Sequence, residues 1–226
     1  SWCQSYSLFK DVLHAIKVSK NNYICFFTDD DICFEKVPQT NYDNIFAEPN
    51  LQCLSLRMGL NITERSHDNV TFPDKPKHTQ AHGDFIFWSK TLHSYGSYWS
   101  YDLSVDGHIF RRTDMENMVD ELCYLESRYK WDQTPNKFES ALQRFWPISA
   151  NVMGSFTSSK VVNSPNNRVQ DSHKNRSGDV FSYDSEFLLG RYMSGARIKL
   201  DCLDFSNIRC PHTEIDLIKG IECYTN

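Results

Sequence analysis

The sequence predicts an α/β domain, a mixed and mostly parallel sheet flanked by helices. Two observations carry that expectation. Short apolar runs rich in β-formers, of which residues 23–27 are the clearest, read as strands buried on both faces. They alternate with segments whose apolar residues recur at helical spacing. A third observation marks the polar end of the sheet: the first apolar run breaks at Thr28 into Asp29, Asp30 and Asp31.

Taken in order, Leu8, Val12, Leu13 and Ile16 fall on one helical face after Ser5 or Ser7, either of which can cap the N-terminus. That helix is expected to stop near Lys20-Asn21-Asn22, and strand 23–27 follows. Further strands are expected at 51–58, 85–88 and 107–111, with a long polar loop at 63–83 between the first two of these. Thr113 can cap a helix over 114–128, and Pro135-Asn136 opens another with Phe138, Leu142 and Phe145 on one face. Val161-Val162 reads as a brief strand and 163–177 as a polar loop. Ser182 or Asp184 opens a helix containing Phe187, Leu188 and Tyr192, and 196–200 resembles a last strand.

The composition suits one globular domain over 1–226: 40% hydrophobic and 23% charged residues. A net charge of -5 supplies no basic footprint, so nucleic acid is not an expected partner. No apolar run approaches the roughly 20 residues that span a bilayer. With no transmembrane segment and no visible secretory leader, the expected location is the cytoplasm, at most at the periphery of a membrane. Eight cysteines are scattered without a zinc-like cluster. Several lie inside apolar runs, where a thiol acts as a small hydrophobe, and reduced thiols are expected. Sequons at Asn61, Asn69 and Asn175 read as chance occurrences.

The aspartate run is the strongest chemical signal. In an extended chain Asp29 and Asp31 would share a face, their Cα atoms roughly 6–7 Å apart, with Asp30 pointing away. That spacing suits one carboxylate binding a divalent cation directly and its neighbour binding through water. A cation would also relieve the mutual repulsion. Ligands of open α/β sheets bind beyond the carboxyl ends of strands, where this cluster falls. The plain alternative is an acidic turn capping the next element. A phosphatase of the haloacid dehalogenase type also sets aspartates after an apolar strand, but Cys33 stands where its pattern favours Thr or Val.

An apolar strand followed by Asp-x-Asp resembles the DxD motif of GT-A-fold, nucleotide-sugar glycosyltransferases. Other blocks extend the likeness to small bacterial and large-DNA-virus transferases: Ser55-Leu56-Arg57-Met58-Gly59-Leu60-Asn61, the stretch 101–111 with Asp106-Gly107-His108, Pro135-Asn136-Lys137-Phe138-Glu139, the stretch 163–170 with Arg168, and Pro211-His212-Thr213-Glu214. The resemblance implies a GT-A-like, Rossmann-like sheet, a nucleotide-diphosphate-sugar donor, Mn²⁺ or Mg²⁺, and a glycan or lipid-linked acceptor. Such domains carry a β-α-β nucleotide-binding half before the DxD strand. Only 28 residues precede Asp29, so the first β-α-β units are expected to be missing.

Roles follow from the resemblance and from side-chain chemistry together. Asp29 and Asp31 are the expected metal ligands, with His212 as a third. Asp29, Asp30, Arg57 and Arg168 are candidates for donor binding, the arginines because a guanidinium fork suits phosphate. Glu139 is the first candidate for the general base and Asp106 the second. Trp88, Trp99 and Tyr101 can stack on sugar rings or fill the core. A sugar-binding module without turnover is the alternative of a different class.

Overall fold

A computed structural model of the chain describes residues 7–48, 50–67, 70–77, 80–101, 103–129, 134–145, 151–166 and 177–222. In chain order its elements are α1 (Leu8–Val18), β1 (Tyr23–Phe26), β2 (Asp31–Cys33), α2 (Tyr42–Ile45), β3 (Leu51–Ser55), β4 (Glu64–His67), β5 (Val70–Pro73), β6 (Gln80–His82), β7 (Phe85–Ser89), β8 (His108–Arg111), α3 (Arg112–Tyr129), α4 (Pro135–Phe145), β9 (Val152–Phe156), β10 (Val161–Asn163), α5 (Ser185–Met193) and α6 (Leu217–Glu222). Short 3₁₀ turns occupy Lys90–Leu92, Tyr98–Ser100 and Leu200–Cys202.

The central sheet has six strands in the order β1-β8-β3-β9-β7-β6, and two small two-stranded sheets, β10-β2 and β4-β5, accompany it. The fold class is α/β as expected, but the sheet is mostly antiparallel rather than mostly parallel. Only β3 and β9 run parallel, because β8 inserts antiparallel between β1 and β3 and β7 lies antiparallel to both β9 and β6.

Alternation along the strands sends side chains to two apolar layers. On β8, Phe110 joins the larger layer and Ile109 the smaller. The larger layer is sealed by α1, α3 and α4, with the Phe9 and Phe138 rings 5.4 Å apart and those of Phe26 and Phe138 5.8 Å apart. Full burial of a side chain such as Phe110 contributes about 1.5–3 kcal/mol. Ser7 caps α1 as the sequence suggests, its hydroxyl accepting from the Lys10 N–H at 3.4 Å. Asp184 caps α5 in the same way.

Strand β1 is an edge strand, which its apolar run does not announce. Its two faces are covered nonetheless: Ile24 and Phe26 lean on the larger layer, Tyr23 and Cys25 on the smaller. The expected polar loop at 63–83 instead contains the β4-β5 hairpin and the start of the β6-β7 pairing. The expected strand at 196–200 does not form; a 3₁₀ turn begins at its end, and Ile198 and Leu200 stay exposed.

The cysteines divide. Cys25, Cys33, Cys53, Cys123 and Cys210 are not disulfide-bonded, whereas Cys202 is, against the expectation of reduced thiols throughout. Cys53 packs in a strand interior as a small hydrophobe. Cys202 ends a 3₁₀ turn in a segment without sheet pairing. Disulfides are rare in reducing compartments, which weighs against the cytoplasmic expectation. The Asn61 side-chain amide is directed inward, donating to the Ser159 hydroxyl and the Ile208 carbonyl and accepting from the Ser159 N–H. No helix among the described residues is long and apolar enough to cross a membrane.

Candidate functional site

The chain leaving β1 does not stay extended through the aspartates. The Asp31 N–H donates to the Thr28 carbonyl at 3.3 Å, while the Asp31 carboxylate accepts from the Thr28 N–H at 2.9 Å. This closed turn replaces the alternation expected of an extended segment. Asp29 is exposed, and Asp30 and Asp31 face a common partner.

That partner is Asn163. Antiparallel pairing of β2 with β10 sets Asn163 opposite Asp31. Its amide nitrogen lies 2.7 Å from an Asp30 oxygen, 3.3 Å from an Asp31 oxygen and 3.3 Å from the Thr28 hydroxyl. On its other side a parallel bridge brings His212 alongside, with the His212 Nδ1 3.0 Å from the Asn163 Oδ1. Arg57, just past the end of β3, completes the chain of contacts. One of its terminal nitrogens stands 3.3 Å from the His212 Nε2 and 2.7 Å from an Asp106 oxygen.

Donor inventory fixes the direction of this relay. A guanidinium only donates, so Nε2 of His212 accepts and Nδ1 carries the proton. That proton goes to Oδ1 of Asn163, which turns the amide –NH₂ toward Asp30 and Asp31. Burial first, and then the Arg57 charge, bring His212 down to about 4, partly opposed by Asp106; the ring is neutral at physiological pH.

Asp106 is positioned by the glycine after it. The Gly107 N–H donates to the Phe26 carbonyl at 2.8 Å and its carbonyl accepts from Leu56 at 2.8 Å, tying this loop to the ends of β1 and β3. Gly107 has a φ of +66°, and a Cβ there would come within 3.3 Å of Val161. Burial pushes the Asp106 carboxyl up, but Arg57, His212 and the Ser104 hydroxyl together hold it below its usual range. Arg57 is 3% exposed, and its Nε finds no partner. Tyr101 lies beneath its guanidinium, 5.7 Å from ring centroid to Cζ.

Glu139, in the first turns of α4, shares this electrostatic environment. Burial raises its carboxyl to about 7, repulsion from Asp106 adds to the rise, and Arg57, the Ser104 hydroxyl and the Val105 backbone oppose it. Asp31 is likewise raised to about 6, by burial first, with Asp106 adding to the rise.

The structure therefore gathers Asp30, Asp31, Arg57, Asp106, Glu139 and His212, contributed by segments far apart in sequence. Arg168 lies outside the described residues, as does His78. Trp88 and Trp99 are core residues, 2% and 0% exposed. The Trp88 indole donates to the Trp99 carbonyl at 2.8 Å and that of Trp99 to the Asp74 carbonyl at 3.1 Å. Tyr101 keeps 38% exposure and remains able to meet a ligand. Sequence reasoning missed Thr28 and Asn163; a hydroxyl immediately before the carboxylates was the available signal for the first, and only the β2-β10 register reveals the second.

Among the described residues no three His, Cys, Asp or Glu side chains converge as a ready metal cage. A two-carboxylate seat is nevertheless compatible with Mg²⁺ or Mn²⁺, which take one or two carboxylates and complete their shell with water and substrate phosphate. Asp30 and Asp31 present such a pair. They share a single neutral amide, and burial first, then Asp106, raises the Asp31 carboxyl. The His212 lone pair is turned to Arg57, so in this arrangement His212 orients Asn163. Compared with family models, curated proteins and solved structures, the chain finds no match.

Proposed function

We propose that this chain is a metal-dependent glycosyltransferase that moves a sugar from a nucleotide-diphosphate donor to a hydroxyl acceptor. One observation carries the reading: a carboxylate pair suited to a cation and a separate carboxyl raised to about 7 are both acted on by one buried arginine, Arg57. Asp30 and Asp31 would hold Mn²⁺ or Mg²⁺, which when bound acts as a Lewis acid toward the departing diphosphate. Asn163, oriented by His212, steadies the two carboxylates. Arg57 adds a fixed positive charge beside the seat, kept in place by Asp106 and Tyr101.

Glu139 suits the general base better than Asp106. A base works best with a pKa near the working pH, which Glu139 meets, whereas Asp106 is held ionised and spent on Arg57. Tyr101 offers a partly exposed ring beside both groups, able to face an acceptor sugar. The acceptor is expected to be a glycan or a lipid-linked glycan.

The test is turnover of a panel of nucleotide sugars, with and without Mn²⁺, by the wild type and by Asp31→Asn. The proposal expects metal-dependent release of the nucleoside diphosphate, reduced at least about a hundredfold in the variant. Release of phosphate from a simple phosphoester in Mg²⁺, with no nucleotide-sugar turnover, would replace it with the phosphatase reading. Donor binding without turnover would favour the binding module.

A further inference from the structure

A cleft of about 460 Å³ opens to solvent beside the start of β1, at the opposite end of that strand from the Asp30 and Asp31 pair. Its size falls within the roughly 300–1,000 Å³ of small-molecule sites. Two tyrosines line it and are held by their neighbours. The Tyr23 ring stacks on Phe46 with centroids 4.9 Å apart and tilts against the Tyr42 ring at 5.7 Å. Arg111, opposite Tyr23 in the β1-β8 register, fixes the segment that carries Phe46. Its guanidinium donates to the Phe46, Glu48 and Leu51 carbonyls at 2.6, 3.0 and 2.9 Å. Asn21, Asn22, Thr40 and Asn41 add polar side chains to the lining. The Asn41 Oδ1 accepts from the Asp43 N–H at 3.0 Å, which leaves the amide –NH₂ available to a ligand. Asp43 is the one charged residue of the lining, and its carboxylate accepts from the Tyr23 hydroxyl.

We propose that this cleft binds a neutral saccharide. Asparagine amides and a threonine hydroxyl both donate and accept, which matches sugar hydroxyls that do the same. Tyrosine rings supply an apolar surface with a polar tip, suited to the C–H faces of a pyranose. The other ligand classes fit less well. A phosphate or carboxylate would meet no lysine or arginine among the lining residues. A cation would find only the Asp43 carboxylate, already engaged by Tyr23. An apolar ligand would take the asparagines and Thr40 out of water without giving them partners. Because β1 separates the cleft from the carboxylate pair, it is a second site, and the inference does not depend on the proposed sugar transfer.

The experiment is saturation-transfer NMR of the full chain with the methyl glycosides of glucose, galactose and N-acetylglucosamine, and with glucose 6-phosphate and glucuronate as charged probes. The wild type should bind at least one neutral glycoside more tightly than either charged probe. Thr40→Arg, which fills the cleft, should remove that binding, and Asn21→Ala should weaken it about fivefold. Asn21 is exposed, so its variant keeps the test sound if Thr40→Arg fails to fold, and an unchanged circular dichroism spectrum confirms folding of each. The Asp30→Asn, Asp31→Asn double variant should bind the glycoside as the wild type does. No binding of a neutral glycoside by the wild type, tighter binding of a charged probe, or binding indifferent to both cleft variants would each overturn the inference. Loss of the glycoside in the double aspartate variant would also overturn it, by moving the sugar to the carboxylate site, and would leave the proposed transferase reading standing.

Discussion

Replacing Glu139 with glutamine removes a charge that the fold raises in energy and leaves the shape of the side chain almost unchanged. Its carboxyl moves from 4.5 to about 7 on folding, with burial the first cause and Asp106 the second. At 1.36 kcal/mol per pKa unit this corresponds to at most about 3 kcal/mol. The sign follows from the direction of the shift. A raised folded pKa contributes stability that is fully present below 4.5 and is lost as pH rises through about 7. The Glu139→Gln protein, which cannot ionise there, should match the wild type near about pH 4.5 and exceed it by up to about 3 kcal/mol near about pH 8. Urea denaturation at both pH values measures this. The same variant should lose about 10²–10⁴ in transfer rate if Glu139 is the base. A variant no more stable than wild type at the higher pH would refute the account of a desolvated carboxyl at this position, whatever its activity.

Two further substitutions test the relay. Arg57→Met should destabilise by about 3–5 kcal/mol because it strands the Asp106 charge, and adding Asp106→Asn should recover at least about 1 kcal/mol of that loss in a double-mutant cycle. Asn163→Ala should cost about 1–3 kcal/mol by leaving the Asp30, Asp31 and His212 groups without their shared partner. That cost should grow as pH rises through about 6, where Asp31 ionises, and chemical denaturation on either side of that value measures it.

Much of the fold was legible because local rules and tertiary structure agree. Ser7 and Asp184 cap helices as their side chains suggest, Pro135 opens α4, and the apolar runs at 23–27 and 51–58 contain β1 and β3. Strand direction was not legible, because an apolar run buried on both faces reads the same in either orientation. The insertion of β8 between β1 and β3 is a long-range pairing with no local signature. The polar run 64–67, with no apolar alternation of its own, conceals a hairpin that leaves the main sheet.

The site divides along the same line. Asp30, Asp31, Arg57, Asp106, Glu139 and His212 were marked by residue type and motif. Asn163, which connects three of them, was passed over because a lone asparagine at a strand end carries no chemical flag; only the β2-β10 register brings it opposite Asp31. The assignment of Asp29 over Asp30 to the inner face rested on an extended chain, and the Thr28–Asp31 hydrogen bonds supply a turn instead.

The central claim is that Asp30 and Asp31 seat a cation that holds a diphosphate. Calorimetric titration of nucleotide sugars into the wild type and into the Asp30→Asn, Asp31→Asn double variant, each with and without Mn²⁺, tests it most directly. The account predicts binding by the wild type only when Mn²⁺ is present, weakened at least about a hundredfold in the variant. Binding that ignores the metal, or that survives the loss of both carboxylates, would contradict it.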